Sequence, residues 1–129
     1  KNAAEGGKEE VDYRAVPMVY FGFPETASAG MTAAQAAEEH DVLVGSSGYN
    51  GVFKGQVIGE KGFVKAVVDK KTRHLLGFHI IGPHASILLQ EAAVVIANRL
   101  PVDTVINTMH TFPSLSEIVL KPLLHLEEF

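Results

Sequence analysis

The stretch that decides the fold runs from His74 to Leu100 and reads HLLGFHIIGPHASILLQEAAVVIANRL. Its first part, Leu75–Ile81, is rich in leucine, phenylalanine and isoleucine, which predicts a mostly buried strand. Gly82-Pro83 then makes a sharp corner, because proline cannot donate to a strand ladder but suits the first turn of a helix. The sequence therefore predicts a strand, a turn and a helix over about Ala85–Arg99.

The predicted helix is apolar around almost its whole circumference. Its few polar side chains are Ser86, Gln90, Glu91, Asn98 and Arg99. A helix without a polar face is covered on more than one side. We therefore expect the sheet to cover one side of this helix and a second subunit to cover another, as in a homodimer.

The composition restricts the classes of function. A chain of 129 residues with 47% hydrophobic and 20% charged residues is typical of one globular domain. The net charge of −4 provides neither a basic surface for nucleic acid nor a polybasic membrane anchor. We find no apolar run of transmembrane length and no signal peptide. Because cysteine is absent, the chain has no disulfide and no thiol for redox work, and we expect a cytoplasmic setting.

Further strands are predicted where β-branched and aromatic residues cluster, at Val16–Phe23, Asp41–Val44 and Phe63–Asp69. Only a short polar turn separates Phe63–Asp69 from the strand at Leu75–Ile81. These two strands are therefore expected to form an antiparallel hairpin.

The segments 25–31 and 45–55 are expected to be loops, from their small residues and the turn signal Asn50-Gly51. Thr32-x-x-Gln35 and Ser114-x-x-Glu117 are capping boxes, which predict that helices begin there. Strands joined by a hairpin, with helices segregated from them, indicate an α+β fold in which helices pack on one side of an antiparallel sheet.

Three segments together resemble a known family. They are YFGFPETASAGMT (Tyr20–Thr32), LLGFHIIGPHASILLQEAA (Leu75–Ala93) and HTFPSLSE (His110–Glu117). In this order and spacing they resemble the C-terminal dimerisation (interface) domain of the pyridine nucleotide-disulfide oxidoreductase family. Within it, the likeness is greatest to dihydrolipoamide dehydrogenase and mercuric-reductase-like flavoproteins. The resemblance covers about residues 11–125. It implies a dimerisation domain at 11–129, and residues 1–10 as a linker or the remnant of a preceding FAD-domain segment.

The resemblance also implies that the chain is one part of a longer enzyme. Parent chains of the family bind FAD and NAD(P), carry a redox-active cysteine pair, and form dimers in which each subunit covers its partner's active site. This sequence has no cysteine and no Gly-x-Gly-x-x-Gly opening a helix after a strand. We therefore expect no cofactor in this piece and no activity of the isolated domain. The alternative is an autonomous homodimeric interaction module.

The family's active-site motif is His-x-His-Pro-[Ser/Thr]-x-x-Glu, in which the second histidine is the general acid–base and the glutamate orients it. In this sequence Pro113, Ser114 and Glu117 match the motif, and His110 takes the first histidine position. Phe112 stands at the position of the catalytic histidine. An imidazole suits proton transfer because it changes charge near neutral pH, whereas a phenyl ring transfers no proton.

Two interpretations of this difference stay open. Either His110 and Glu117 supply the catalytic pair, or the parent resembles mercuric-reductase- and transhydrogenase-type relatives that lack the histidine base. Simpler roles also fit, because helix capping alone explains Glu117 and a hydrogen bond within a loop explains His110. By the resemblance, the backbone of Phe112-Pro113 lies near the partner's FAD, and this bond is a candidate cis peptide. His79 and His84 lack further ligands at metal spacing, so no metal site is predicted.

Overall fold

The computed structural model describes residues 4–8, 10 and 12–129. Its strands are β1 (Met18–Tyr20), β2 (Thr26–Gly30), β3 (Val42–Gly48), β4 (Phe63–Asp69), β5 (Leu75–Ile81) and β6 (Glu127–Glu128). Its helices are α1 (Ala33–Ala36), α2 (Phe53–Ile58), α3 (Ala85–Ala97), α4 (Val102–Ile106) and α5 (Glu117–Leu120). The strands form one antiparallel sheet in the order β1-β2-β5-β4-β3-β6. The predicted α+β fold is confirmed.

The predicted hairpin of β4 and β5 lies at the centre of the sheet, with the bounds that the sequence indicated. Its pairing is interrupted by one bulge, between Val67 and Val68. Alternate residues of β4 share a face of the sheet, and Val64, Ala66 and Val68 are fully buried there. This buried face is the surface on which the main helix packs.

Helix α3 is the main layer above the sheet, and it packs against β5 and β2. It ends at Ala97, two residues before the predicted end. Its buried residues are Ala85, Leu89, Ala92, Ala93, Val95 and Ile96. Because burying a leucine or isoleucine side chain contributes about 1.5–3 kcal/mol, this contact is a principal source of the domain's stability.

A second, smaller cluster lies on the opposite face of the sheet. There Ala33 and Ala36 of α1 pack with Val42 and Val67. The capping box predicted at Thr32 is confirmed: Thr32 Oγ1 accepts the N–H of Gln35 at 3.3 Å, and the Gln35 side chain accepts the N–H of Thr32 at 3.0 Å.

The loop predicted at 25–31 is wrong, because this segment contains β2. That strand pairs with β1 on one side and β5 on the other. Its alanines, Ala27 and Ala29, are fully buried beneath α3. Small residues here permit close packing of a helix on a strand, whereas in the sequence they indicate a flexible connection. The strand predicted at Val16–Phe23 is correspondingly shorter and covers only Met18–Tyr20.

The loop predicted at 45–55 is also wrong in most of its length. Strand β3 continues to Gly48, and α2 begins at Phe53. Between them Tyr49 is buried, and its hydroxyl donates to the carbonyl of Pro83 at 2.8 Å. Burial raises the pKa of Tyr49 to about 12. This side chain fixes the corner between β5 and α3, where Gly82 has φ +144° and a Cβ would come within 2.8 Å of the Tyr49 ring.

The last residues of this sequence pack against the sheet through Leu123, whereas Leu124 and Phe129 stay exposed. Pro122 ends α5 in a 3-10 turn, Lys121–Leu124, in which Pro122 and Leu123 are buried. Strand β6 then pairs with β3, and Lys70 forms an ion pair with Glu128. None of the helices in the described ranges has the length and hydrophobicity needed to cross a bilayer. The domain boundary was predicted between residues 10 and 11. Val11 lies outside the described residues, as does Glu9.

Candidate active-site loop

The motif residues lie in the connection between α4 and α5, which we call the active-site loop (residues 108–117). The peptide bond between Phe112 and Pro113 is cis, as the sequence suggested. Met109 is 96% exposed and Phe112 is 71% exposed. The loop therefore presents large apolar side chains outward, which is unusual for a surface that meets only water.

His110 lies on the inner side of this loop, and its side chain is only 8% exposed. Its Nδ1 lies 2.9 Å from the carbonyl oxygen of Thr108, and its Nε2 lies 3.0 Å from Oε1 of Glu91 on α3. A carbonyl and a carboxylate oxygen are both hydrogen-bond acceptors, so each ring nitrogen of His110 faces an acceptor. In this arrangement His110 joins the loop to the middle of α3.

Glu117 closes the other end of the loop. Its Oε2 accepts the backbone N–H of Ser114 at 3.3 Å, which is the reach-back half of the predicted capping box. The predicted capping box is otherwise wrong: the Ser114 hydroxyl accepts the N–H of Ser116 at 3.2 Å, and α5 begins only at Glu117, after Ser116, which makes no side-chain cap. Glu117 forms no hydrogen bond with His110 among the described residues, so the structure does not bring the two predicted catalytic side chains together.

The side chain of Phe112 lies beside Phe53 of α2. The rings of Phe112 and Phe53 are 6.3 Å apart between centroids and tilted by 40°, within the range favourable for aromatic pairs. No hydrogen bond joins the backbone N–H groups of Thr111 and Phe112 to another residue in the described part of the chain. Both the ring of Phe112 and the adjacent peptide groups are thus available to another surface.

The outer side of α3 continues this apolar surface. Ile87 is 71% exposed and Val94 is 50% exposed, and a spacing of seven residues places them on the same side of a helix. Glu91 lies between them and is the partner of His110. The prediction that α3 needs a cover beyond the sheet agrees with this exposed apolar stripe.

The remaining histidines considered as ligands have separate roles. His79 Nε2 lies 3.0 Å from the carbonyl oxygen of Met31. His84 precedes α3 in the left-handed conformation and is exposed. Among residues 4–8, 10 and 12–129, no group of three or more His, Asp or Glu side chains is arranged to hold a metal ion.

Sequence reasoning missed two residues that position this loop, Glu91 and Phe53. Glu91 had a signal, because it is the only carboxylate in an otherwise nearly apolar helix and so needs a polar partner. No sequence signal pointed to Phe53, because this residue lies in a segment that was interpreted as a loop.

Comparison with known proteins places this geometry in context. Residues 16–122 match the family described as the pyridine nucleotide-disulphide oxidoreductase dimerisation domain. The dihydrolipoyl dehydrogenase of Chlamydia trachomatis is 37% identical over 115 residues, or 88% of this chain and 25% of that protein. The dihydrolipoyl dehydrogenase of Synechocystis is 45% identical over 121 residues, with the same coverage of 88% and 25%. The chain thus spans about a quarter of the length of these relatives.

Two solved structures share the fold. The crystal structure of LpdA from Mycobacterium tuberculosis superposes with a TM-score of 0.85 at 24% identity, over 94% of this chain and 27% of that one. The HOCl-induced flavoprotein disulfide reductase RclA from Escherichia coli, solved as a Cu(II) complex, has a TM-score of 0.79 at 26% identity, over 86% of this chain and 26% of that one.

Proposed function

Since this chain belongs to the pyridine nucleotide-disulphide oxidoreductase dimerisation-domain family, we propose that it pairs two subunits of a dihydrolipoyl dehydrogenase-like enzyme and completes the partner's active site. The single observation that supports this most strongly is the active-site loop. Hydrogen bonds of His110 and Glu117 fix the inner side of the loop, and Met109 and Phe112 are exposed on its outer side. A loop built in this way is positioned for contact with a second surface.

The homodimer is supported by the stripe on α3. Ile87 and Val94 lie on the outer side of the helix that anchors the loop, so one partner surface is able to cover both. Burying apolar side chains is the main source of affinity in obligate dimers. The proposal includes the cytoplasmic setting that the cysteine-free sequence suggested, and FAD and NAD(P) sites in the remaining part of the parent.

The loop residues Thr111 and Phe112 are suited to lie beside the FAD of the parent. The FAD-binding site itself belongs to the remaining part of the parent. The free N–H groups of Thr111 and Phe112, next to the cis bond at Pro113, are able to donate to a neighbouring polar group. FAD, when bound, supplies the two-electron chemistry of such enzymes. The contribution of this chain is to cover that site and exclude water from it.

The two hydrogen bonds of His110 restrict a role of this side chain in acid–base catalysis. Before His110 accepts a proton from a thiol, one ring nitrogen must leave Thr108 or Glu91, because both nitrogens are already hydrogen-bonded. The geometry therefore supports His110 and Glu117 more directly as positioning residues of the loop than as an acid–base pair. Their assignment as catalytic residues stays a prediction.

Phe112 favours a second candidate within the same family. At the position of the usual histidine base it has no group that transfers a proton, which fits a parent of the mercuric-reductase or transhydrogenase type. Turnover of dihydrolipoamide by the full-length parent separates the two candidates. We expect Phe112→His to raise that turnover if the parent lacks a base, and to leave it unchanged or lower if His110 already serves.

Self-association is tested by sedimentation of the full-length parent. Ile87→Asp places a charge in the proposed interface and is expected to weaken the dimer by at least tenfold in Kd, since an unpaired buried charge costs several kcal/mol. Phe63→Asp is the matched control, because Phe63 is also exposed but lies on the opposite face of the sheet. A parent that stays dimeric with Ile87→Asp contradicts this interface.

A further inference from the structure

A cleft of about 320 Å³ lies at the end of the sheet where β4 turns into β5, and it shares no residue with the active-site loop. Its apolar wall is formed by Met31, Leu75, Leu76 and Ile96. A concave site with a mostly apolar lining and a few convergent polar groups is typical of small-molecule binding.

One end of the cleft holds a buried polar pair. His40 Nδ1 lies 2.6 Å from Oδ2 of Asp69, whose side chain is nine-tenths buried, and the N–H of Thr72 donates to Oδ1 at 2.7 Å. Burial opposes ionisation, but the hydrogen bonds from Thr72 and His40 outweigh it and hold the pKa of Asp69 below its usual value. The carboxylate thus fixes the orientation of the His40 ring at the cleft wall.

Two arginines supply the positive charge of the cleft. Arg14 is already paired with Asp12 through its guanidinium. Arg99, which follows α3 in the left-handed conformation with φ +50°, forms no ion pair with any residue in the described ranges. Arg99 is thus the cationic side chain of the lining that forms no ion pair among the described residues, and the carboxylates of Asp12 and Asp69 are the negative groups near it or in the same cleft.

We propose that this cleft binds a small amphipathic monocarboxylate, with its carboxylate at Arg99 and its apolar chain along Met31, Leu76 and Ile96. One unpaired guanidinium matches one carboxylate, which it is able to hold with two parallel hydrogen bonds. Octanoate combines one carboxylate with an apolar chain and is the probe that we choose.

The experiment titrates octanoate into the 15N-labelled 129-residue chain and follows its amide signals by NMR, after well-dispersed spectra establish that the chain is folded. We expect saturable shifts confined to residues 31, 40, 72–76 and 96–99. Inorganic phosphate has the charge without the chain, and octanol has the chain without the charge. Both are expected to bind at least tenfold more weakly than octanoate.

Arg99→Gln is expected to weaken octanoate binding at least tenfold. Lys54→Gln is the matched control, since it also removes one positive charge but from an exposed side chain of α2 that does not line the cleft, and its affinity should stay within about twofold. Equal affinity of Arg99→Gln and the unaltered chain overturns the proposal, as do shifts centred on Ile87 or Phe112.

A repeat titration on the full-length parent decides whether the site exists in the whole protein. Retention of the affinity, and its loss in Arg99→Gln, supports the proposal. Absence of binding to the parent overturns it, because the remaining domains would then fill the cleft. Neither result depends on dimerisation or on dihydrolipoamide turnover, so the proposed function is judged separately.

Discussion

Two Phe-Pro segments of this molecule are both hydrogen-bonded to α3. They differ in which partner, the segment or the helix, supplies the carboxylate. At Phe23-Pro24 the bond is cis and the phenylalanine is 93% exposed, and at Phe112-Pro113 the bond is also cis and the phenylalanine is 71% exposed. After the first segment, the carboxylate of Glu25 accepts the N–H of Ser86 in the first turn of α3 at 2.7 Å. At the second segment, the helix supplies the carboxylate, Glu91, and the loop supplies His110.

The difference lies in what else holds each segment. The first leads directly into β2, which is paired on both sides, and the carbonyl of Glu25 also accepts the N–H of Gly82 at 2.9 Å. The second is flanked by the short helices α4 and α5, and side chains provide its main anchors. Substitutions in the active-site loop should therefore move the loop without unfolding the domain, whereas the first segment should move only with the sheet.

The largest loss of stability is expected when the packing of α3 is disrupted, because both Phe-Pro segments are hydrogen-bonded to this helix. Leu89→Ala on the buried side of α3 should lower the free energy of unfolding by about 2–5 kcal/mol, through lost burial and a cavity. Chemical denaturation measures this loss. Ile87→Ala on the exposed side of the same helix is the control, with an expected change within about 0.5 kcal/mol in the monomer. A loss below about 1 kcal/mol for Leu89→Ala contradicts the role of α3 as the common support.

The next effect concerns the tie between His110 and Glu91. His110→Ala and Glu91→Ala should each cost about 1–3 kcal/mol, because each removes one partner and leaves the other polar group in a partly buried place unpaired. The double variant should cost less than the sum of the two. Amide hydrogen exchange should become faster at residues 109–116 and stay unchanged at Thr26–Gly30. Faster exchange in both regions would show that the loop is not held independently of the sheet.

A smaller, pH-dependent effect is expected at Glu25. The hydrogen bond from Ser86 lowers the pKa of Glu25 below 4.5, so this carboxylate stabilises the fold above about pH 4.5 and loses that effect as the pH falls through its folded value. Glu25→Gln should cost about 0.5–1 kcal/mol at pH 7, since a carboxylate near a helix N-terminus contributes about this much. The difference from the unaltered chain should shrink below pH 4.5. A difference that is constant from pH 7 to pH 3 excludes this origin.

The smallest effect on stability is expected from Glu117→Gln. The amide oxygen of glutamine is able to accept the N–H of Ser114 as the carboxylate does, so the free energy of unfolding should change by no more than about 0.5 kcal/mol. Turnover by the full-length parent provides the sharper comparison. If Glu117 only caps the helix, turnover should be preserved in Glu117→Gln, whereas a large loss of kcat at unchanged stability would support a catalytic role.

The candidate site was predictable in its position but not in its contacts. The motif at His110–Glu117 located the loop, and the cis bond at Phe112-Pro113 followed from the resemblance. The partner of His110 was not predictable from spacing, because Glu91 is nineteen residues away in the chain and meets it only after α3 and α4 have packed. The pair expected from the motif, His110 with Glu117, forms no hydrogen bond among the described residues. His110 is instead paired with Glu91, and Glu117 accepts the N–H of Ser114.

The sequence by itself determined the β4–β5 hairpin and α3, where runs of large apolar residues, bounded by turn residues, define each element locally. Only the tertiary structure decided that the small residues of Thr26–Gly30 form an inner strand of the sheet, and that Tyr49 is buried with its hydroxyl on the carbonyl of Pro83. Alanine and glycine have little apolar side-chain area to form a pattern, so the state of a segment made of them depends on what packs against it. The long apolar runs create that packing, and the ambiguous segments then adopt whichever structure fits beneath it.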